Sequence, residues 1–214
     1  MEKKRPEDGS EFNDLEWKET SRKTIIHNEW IDLRESAYMF PDGSVFEPFY
    51  SYSRRDYAVI VATDEEGRYI CVRQFRQGIK EVTTEFPAGG IERKDGKEYA
   101  GRALMNEVVD DADSPDATEE AFDAAKRELL EETGYVSDEW EHLLTVPSNA
   151  TISDNYAYIY SAKNCRKASG QELDVTEFLN VCLHTEEEIE KLVHEGDFKQ
   201  AVHVMAWLLA KKNR

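Results

Sequence analysis

The 214-residue sequence predicts an α/β (α+β) fold preceded by a small N-terminal antiparallel β subdomain, and three observations carry that prediction. Residues 28–53 alternate in polarity, a more apolar strand pair follows them, and a long amphipathic helix pattern ends at Gly134. With 40% hydrophobic and 11% aromatic residues the chain can build a core. At ~150 residues per domain its length suits one full domain with an extra subdomain.

The elements follow in order. Residues 1–20 are charged and lack periodicity, which predicts a flexible terminus. The segment 21–55 holds Trp30, Ile31 and Leu33, then Tyr38 and Phe40, a Pro41-Asp42-Gly43 turn, and Val45, Phe46, Phe49 and Tyr50, a hairpin-like meander. So small a β unit is marginal alone in water and is expected to pack on a second copy of the chain, making a homodimer. Residues 56–214 form the main domain. In it Tyr57-Ala58-Val59-Ile60-Val61 reads as a buried strand, Asp64-Glu65-Glu66-Gly67 as its turn and Tyr69-Ile70-Cys71-Val72 as its return.

Past Gly89 the composition shifts, with seven acidic residues and no basic one from Glu107 to Glu120, so about 92–113 reads as an inserted surface excursion. Ser114-Pro115 and Asp116 then supply an N-cap, a preorganised first-turn proline and a charge suited to the positive helix end. The predicted helix runs through AFDAAKRELLEET to Gly134, a left-handed C-terminal cap. Strands are expected near 143–146, 156–161 and 178–183, with a polar loop over 163–174. Thr185 and Glu188 form a capping box for a helix ending at Gly196, and a last apolar helix contains Val202, Met205, Trp207 and Leu208.

Charge narrows the function. Lys+Arg number 27 against 45 Asp+Glu, a formal charge of −18, and the pI is near 4.7. This works against a broad surface for nucleic acid or anionic membranes, which needs Lys and Arg. No apolar run approaches the ~20 residues of a membrane span, and the first thirty residues lack a signal-like core, so the expectation is a cytoplasmic protein. Cys71, Cys165 and Cys182 are far apart and form no CxxC, which implies neither a disulfide framework nor a thiolate zinc site. The five histidines show no metal-ligand spacing and read as surface or packing residues.

Within the long helix, Glu128, Glu131 and Glu132 stand three and four residues apart, which puts three carboxylates on one face. Bare carboxylates so close repel. Either the face is fully solvated or a cation sits on it, and Mg²⁺ or Mn²⁺ prefers oxygen ligands of this kind.

The flanking residues narrow the choice. Arg127-Glu128-Leu129-Leu130-Glu131-Glu132-Thr133-Gly134-Tyr135 matches the second half of the Nudix box, G-x5-E-x7-R-E-U-x-E-E-x-G-U, with Tyr135 a mild variant at the last position. Glu119 lies eight residues before Arg127, and Glu85-Phe86-Pro87-Ala88-Gly89 looks like the segment that opens the box. The chain therefore resembles a Nudix hydrolase with Gly89 as box glycine and a 24-residue insertion, 29 residues standing between Gly89 and Glu119 instead of five. The resemblance implies the Nudix fold, an α/β/α sandwich with a mixed sheet, and divalent-metal cleavage of a diphosphate. It implies Glu128 and Glu132 as metal ligands, with the backbone carbonyl of Ala88. Glu131 is a third ligand and catalytic group or the i,i+4 partner of Arg127. Glu119 falls inside the predicted helix, whereas its family counterpart precedes it, and so ranks as a weaker ligand.

Val72-Arg73-Gln74-Phe75-Arg76, the Glu85–Gly89 segment and the meander before them look like the ADP-ribose and nucleoside diphosphate sugar pyrophosphatase branch. One departure is that the proline this branch usually carries about fifteen residues after the box would fall at Ala150, while Pro147 stands three earlier. The resemblance implies a dimer exchanging the N-terminal meander, Trp30 stacking on the nucleobase and Arg76 on the diphosphate. It also implies a further carboxylate from the loop before the last strand, where Glu177 aligns best, Asp174 next, with Glu172 near and Asp154 an outsider. Mg²⁺ or Mn²⁺ is the implied cofactor and a nucleotide sugar the substrate. Two alternatives remain open, a non-catalytic module that senses ADP-ribose or a nucleotide, and a nucleoside triphosphate pyrophosphatase.

Overall fold

The computed structural model describes residues 15–28, 30–92 and 119–212. Strands β1 (Lys18–His27), β2 (Asp32–Met39) and β3 (Val45–Ser53) make an antiparallel three-stranded sheet in that order. Regular structure thus begins earlier than the sequence predicts. β1 reads as terminus because its outward residues are polar, and its pairing with β2 supplies what its own pattern lacks. The sheet leaves Trp17, Ile25, Ile26, Val45, Phe46 and Tyr50 half exposed.

A second, eight-stranded sheet comprises β4 (Tyr57–Asp64), β5 (Tyr69–Arg76), β6 (Glu81–Glu85), β7 (Ala88–Gly90), β8 (Tyr135–Val136), β9 (Glu139–Pro147), β10 (Tyr156–Lys167) and β11 (Leu179–His184). Its path is β11-β5-β4-β10-β8, with β6 on β5, β7 on β4 and β9 on β10. β10 runs parallel to β4 and the other strand pairs are antiparallel, so the sheet is mixed.

Helix α1 (Ala121–Thr133) covers one face and α2 (Glu186–Glu195) with α3 (Ala201–Lys212) the other. Strand β4 shows why: Ala58, Ile60 and Ala62 pack with Ala124, Ala125 and Leu129, while Val59 and Val61 pack with Phe198, Ala206 and Trp207. The α/β/α sandwich follows from that two-residue alternation. The capping box of Thr185 and Glu188 and the left-handed caps Gly134 and Gly196 stand where the sequence places them.

Two expectations need correction, and two strands arise where the sequence reading assigned no element. Helix α1 begins at Ala121, so Glu119 precedes the helix instead of lying within it; Ser114, Pro115, Asp116 and most of the 92–113 insertion lie outside the described residues. Strand β10 extends to Lys167, taking up the start of the expected 163–174 loop, because Ala162 and Cys165 still face the core. Finally, β6 and β7 carry no strand signal of their own. Thr83, Thr84 and Glu85 are polar yet buried, and β7 is three residues of Ala and Gly.

Candidate active site

Helix α1 presents its carboxylates to β7. Glu128 and Glu132, one turn apart, are buried on the face that Ala125 and Leu129 anchor to the sheet. Glu132 Oε2 accepts the Ala88 N–H at 2.9 Å, so β7 is joined to the helix through an amide hydrogen. Gly89 lies directly against Glu128, with no room for a side chain. Burial pushes the Glu128 carboxyl up to about 7, with Arg127 opposing and Glu131 and Glu177 adding to the rise. Burial also raises Glu132 well above the usual carboxylate range, with Glu128 contributing and the Ala88 N–H opposing.

Arg127 ties the face together. Its Nη1 reaches Glu128 Oε1 at 2.8 Å and Glu131 Oε2 at 2.9 Å, and its Nη2 reaches Glu119 Oε1 at 2.6 Å and the Gly90 carbonyl at 3.0 Å. Glu131 is therefore the i,i+4 partner of Arg127. Glu119 also accepts the Glu92 N–H at 2.9 Å, bracing the end of β7.

The helix borders a cleft of about 540 Å³. Among the predicted residues, Trp30, Arg76, Ala88, Gly89, Glu128, Asp174 and Glu177 all line it. Trp30, at the tip between β1 and β2, is 59% exposed, a ring without a stacking partner among the described residues. Loop 171–177 crosses α1: Gln171 donates to the Glu132 carbonyl at 2.8 Å and the Glu172 N–H to the Glu131 carbonyl at 2.9 Å. This places Asp174 and Glu177 at the cleft, the Asp174 N–H donating to Glu177 Oε2 at 3.0 Å. Glu172 stays outside it. So does Asp154, whose carboxylate accepts from Ser53 at 2.5 Å and Arg34 at 3.3 Å and thereby pins loop 148–155 to the N-terminal sheet.

Arg76 enters the cleft from β5 and is gripped by Glu85, Nε at 3.0 Å and Nη2 at 2.5 Å. Burial opposes ionisation of Glu85, but Arg76 outweighs it and holds the carboxyl below its usual range. Glu85 also accepts from Thr83 and from Gln200 at 3.2 Å. Glu128 and Arg76 thus bring a carboxylate and a guanidinium to the same cleft.

Several lining residues escaped the sequence reading: Arg54, Arg55, Asn149, Asn155, Gln200 and His203. They come from three distant segments, and only the adjacent Arg54-Arg55 pair, next to a predicted strand, carries a signal that could have marked it. His203, read as surface or packing, is buried against Phe86 and also faces the cleft.

Among the described residues no three His, Cys, Asp or Glu side chains are gathered as a ready-made metal cluster. The donor set nevertheless fits a hard divalent ion: Glu128 and Glu132 supply oxygen, are buried, and among the described residues have Arg127 and one amide hydrogen as their hydrogen-bond partners. A cation bound there would compete with Arg127 for Glu128. No helix is long and apolar enough to cross a membrane among the described residues.

Comparison with known proteins gives the family and the fold. The chain is 27% identical over 188 residues, 87% of its length and 88% of the relative's, to an ADP-ribose pyrophosphatase of Bacillus subtilis (strain 168). It is 26% identical over 148 residues, 69% of its length and 67% of the relative's, to a methanol dehydrogenase activator of Bacillus methanolicus. The crystal structure of an ADP compounds hydrolase superposes with a TM-score of 0.72 at 18% identity, covering 94% of this chain and 95% of that one, a likeness of fold. Residues 53–208 match the NUDIX domain, and with the box helix, its glycine and the mixed-sheet sandwich in place, the chain belongs to the Nudix family.

Proposed function

We propose that the protein is a homodimeric hydrolase, dependent on Mg²⁺ or Mn²⁺, that cleaves the pyrophosphate bond of ADP-ribose or a related nucleoside diphosphate sugar to a nucleoside monophosphate and a sugar phosphate. The observation that carries this reading is a cleft lined by both the Glu128 carboxylate and the Arg76 guanidinium, with Glu132 buried one helical turn from Glu128. A diphosphate is the small-molecule group that a bound divalent cation and a guanidinium would grip together. The Bacillus subtilis relative, named an ADP-ribose pyrophosphatase, supports the same substrate class.

Glu128, Glu132 and the Ala88 carbonyl would hold the metal, which when bound neutralises phosphate charge and makes water more acidic. Arg127, fixed by Glu119 and Glu131, keeps Glu128 in place. Arg76, aligned by Glu85, binds phosphate oxygen. Trp30 offers its exposed face to the base. Glu177 takes the proton of the attacking water, since it lies near enough to Glu128 and Glu132 to raise both; Asp174, through its N–H, sets the Glu177 carboxylate. The half-exposed apolar residues of the N-terminal sheet are what a second copy would cover.

The test is a panel of nucleoside diphosphate sugars, dinucleotides and triphosphates incubated with Mg²⁺ and Mn²⁺, with products resolved by chromatography. AMP and ribose 5-phosphate from ADP-ribose, lost on chelation, are expected. No turnover of any diphosphate would defeat the reading, and tight binding without product would make the protein a sensor.

A further inference from the structure

His203 stands in the first turns of α3, is 3% exposed, and lines the cleft. Its Nδ1 accepts the Phe86 N–H at 3.2 Å. A ring nitrogen that accepts a hydrogen bond carries no proton, so the neutral imidazole bears its one hydrogen on Nε2. The ring is fixed as well as the tautomer, because it stacks on Phe86 at 6.4 Å between centroids and 10° between planes, and Phe86 is fully buried between β6 and β7.

Nε2–H therefore is a rigid donor with no acceptor among the described residues. The nearby carboxylate, Glu85, is already taken up by Arg76, Thr83 and Gln200. The arrangement adds an unused hydrogen to a cleft that the Arg76 guanidinium and Glu128 also line. A neutral donor beside a guanidinium suits an anionic oxygen. It adds directional binding without a further buried cation.

We propose that His203 is a phosphate-binding residue of this cleft, its Nε2–H donating to a non-bridging phosphate oxygen of the bound diphosphate. The proposal rests on the pyrophosphatase reading and adds a binding group to the same cleft.

The test uses the full chain in EDTA with ADP as probe and adenosine as control. His203→Asn keeps an acceptor for the Phe86 N–H but does not extend to the Nε2 position, whereas His203→Gln places an amide hydrogen near it. Calorimetry is expected to show ADP binding weakened roughly tenfold or more in His203→Asn, the scale of a hydrogen bond to a charged group, with partial recovery in His203→Gln and adenosine unaffected in both. Nitrogen-15 NMR of the imidazole is expected to show the Nε2–H tautomer in the free protein and a shift of Nε2 on adding ADP but not adenosine. Unchanged ADP affinity in His203→Asn, an immobile Nε2 signal, or equal loss of adenosine binding would each overturn the assignment. Should wild-type protein bind ADP as described yet hydrolyse no diphosphate, the pyrophosphatase reading falls and the subsite stands; normal turnover with an indifferent His203→Asn gives the converse.

Discussion

Gly89 and Glu128 occupy adjoining space so tightly that a Cβ on residue 89 would lie 1.9 Å from Glu128 Cδ and 2.0 Å from its Oε1. The glycine is required by a side chain 39 positions away, not by its own backbone angles, for it has no positive φ. Gly89→Ala must push the Glu128 carboxylate aside. Since a displacement of about 1 Å at a reacting site costs on the order of a hundredfold, kcat should fall by at least that much while the far-ultraviolet circular dichroism spectrum is kept. Steady-state kinetics on the substrate that the panel identifies checks this.

Arg127 holds Glu119, Glu128, Glu131 and the Gly90 carbonyl at once. Arg127→Met removes the partner but leaves buried carboxylate behind, a change that costs on the order of 3 kcal/mol when a buried pair loses one member. Urea unfolding in EDTA should show that loss. Added Mg²⁺ should restore part of it, since a cation then takes over the neutralisation of Glu128.

Trp30 tests substrate contact apart from chemistry. Stacking on a base is worth about 1–3 kcal/mol, so Trp30→Ala should raise KM for a purine diphosphate sugar by roughly ten- to a hundredfold with kcat held within a few fold. Trp30→Phe should recover most of the loss. Equal KM values for all three proteins would remove Trp30 from the site.

His203 makes stability depend on acid. Burial lowers its pKa from the usual 6.5 to about 4, with Glu85 opposing and Arg76 reinforcing the shift. The folded value lies below the unfolded one, so the unfolded chain takes the proton first. The stability from the neutral ring is complete above pH 6.5 and is lost as pH falls towards 4. A depression of that size corresponds to about 3 kcal/mol. Between pH 7 and 4 the wild type should therefore lose about that much more stability than His203→Asn, measured by denaturant unfolding at each pH.

What could be read from the residues alone was whatever depends on local spacing. Glu128, Glu131 and Glu132 declare a common helix face by their separation, Gly134 and Gly196 declare helix ends, and Thr185 with Glu188 declares a start. The buried polar strand Thr83-Thr84-Glu85 has no such signature, because its burial comes from Arg76 and Gln200, 9 and 115 positions from Glu85. His203 looks like packing for a similar reason. In an apolar helix only the third dimension shows that one ring edge rests on Phe86 while the residue borders the cleft. Spacing leaves Glu131 as partner of Arg127 or of a metal, and the fold adds that the ion pair with Arg127 does form.

The stitching of β3 to loop 148–155, where the Tyr52 N–H meets the Ile152 carbonyl at 2.8 Å and Arg34 and Ser53 clasp Asp154, makes the outer sheet a brace for Asn149 and Asn155. Trimming the first fifty residues would not yield a leaner version of the same machine. It would strip away the scaffolding that keeps one rim of the pocket upright, and the slack would surface as poor grip on small molecules well before the remaining sandwich lost its shape.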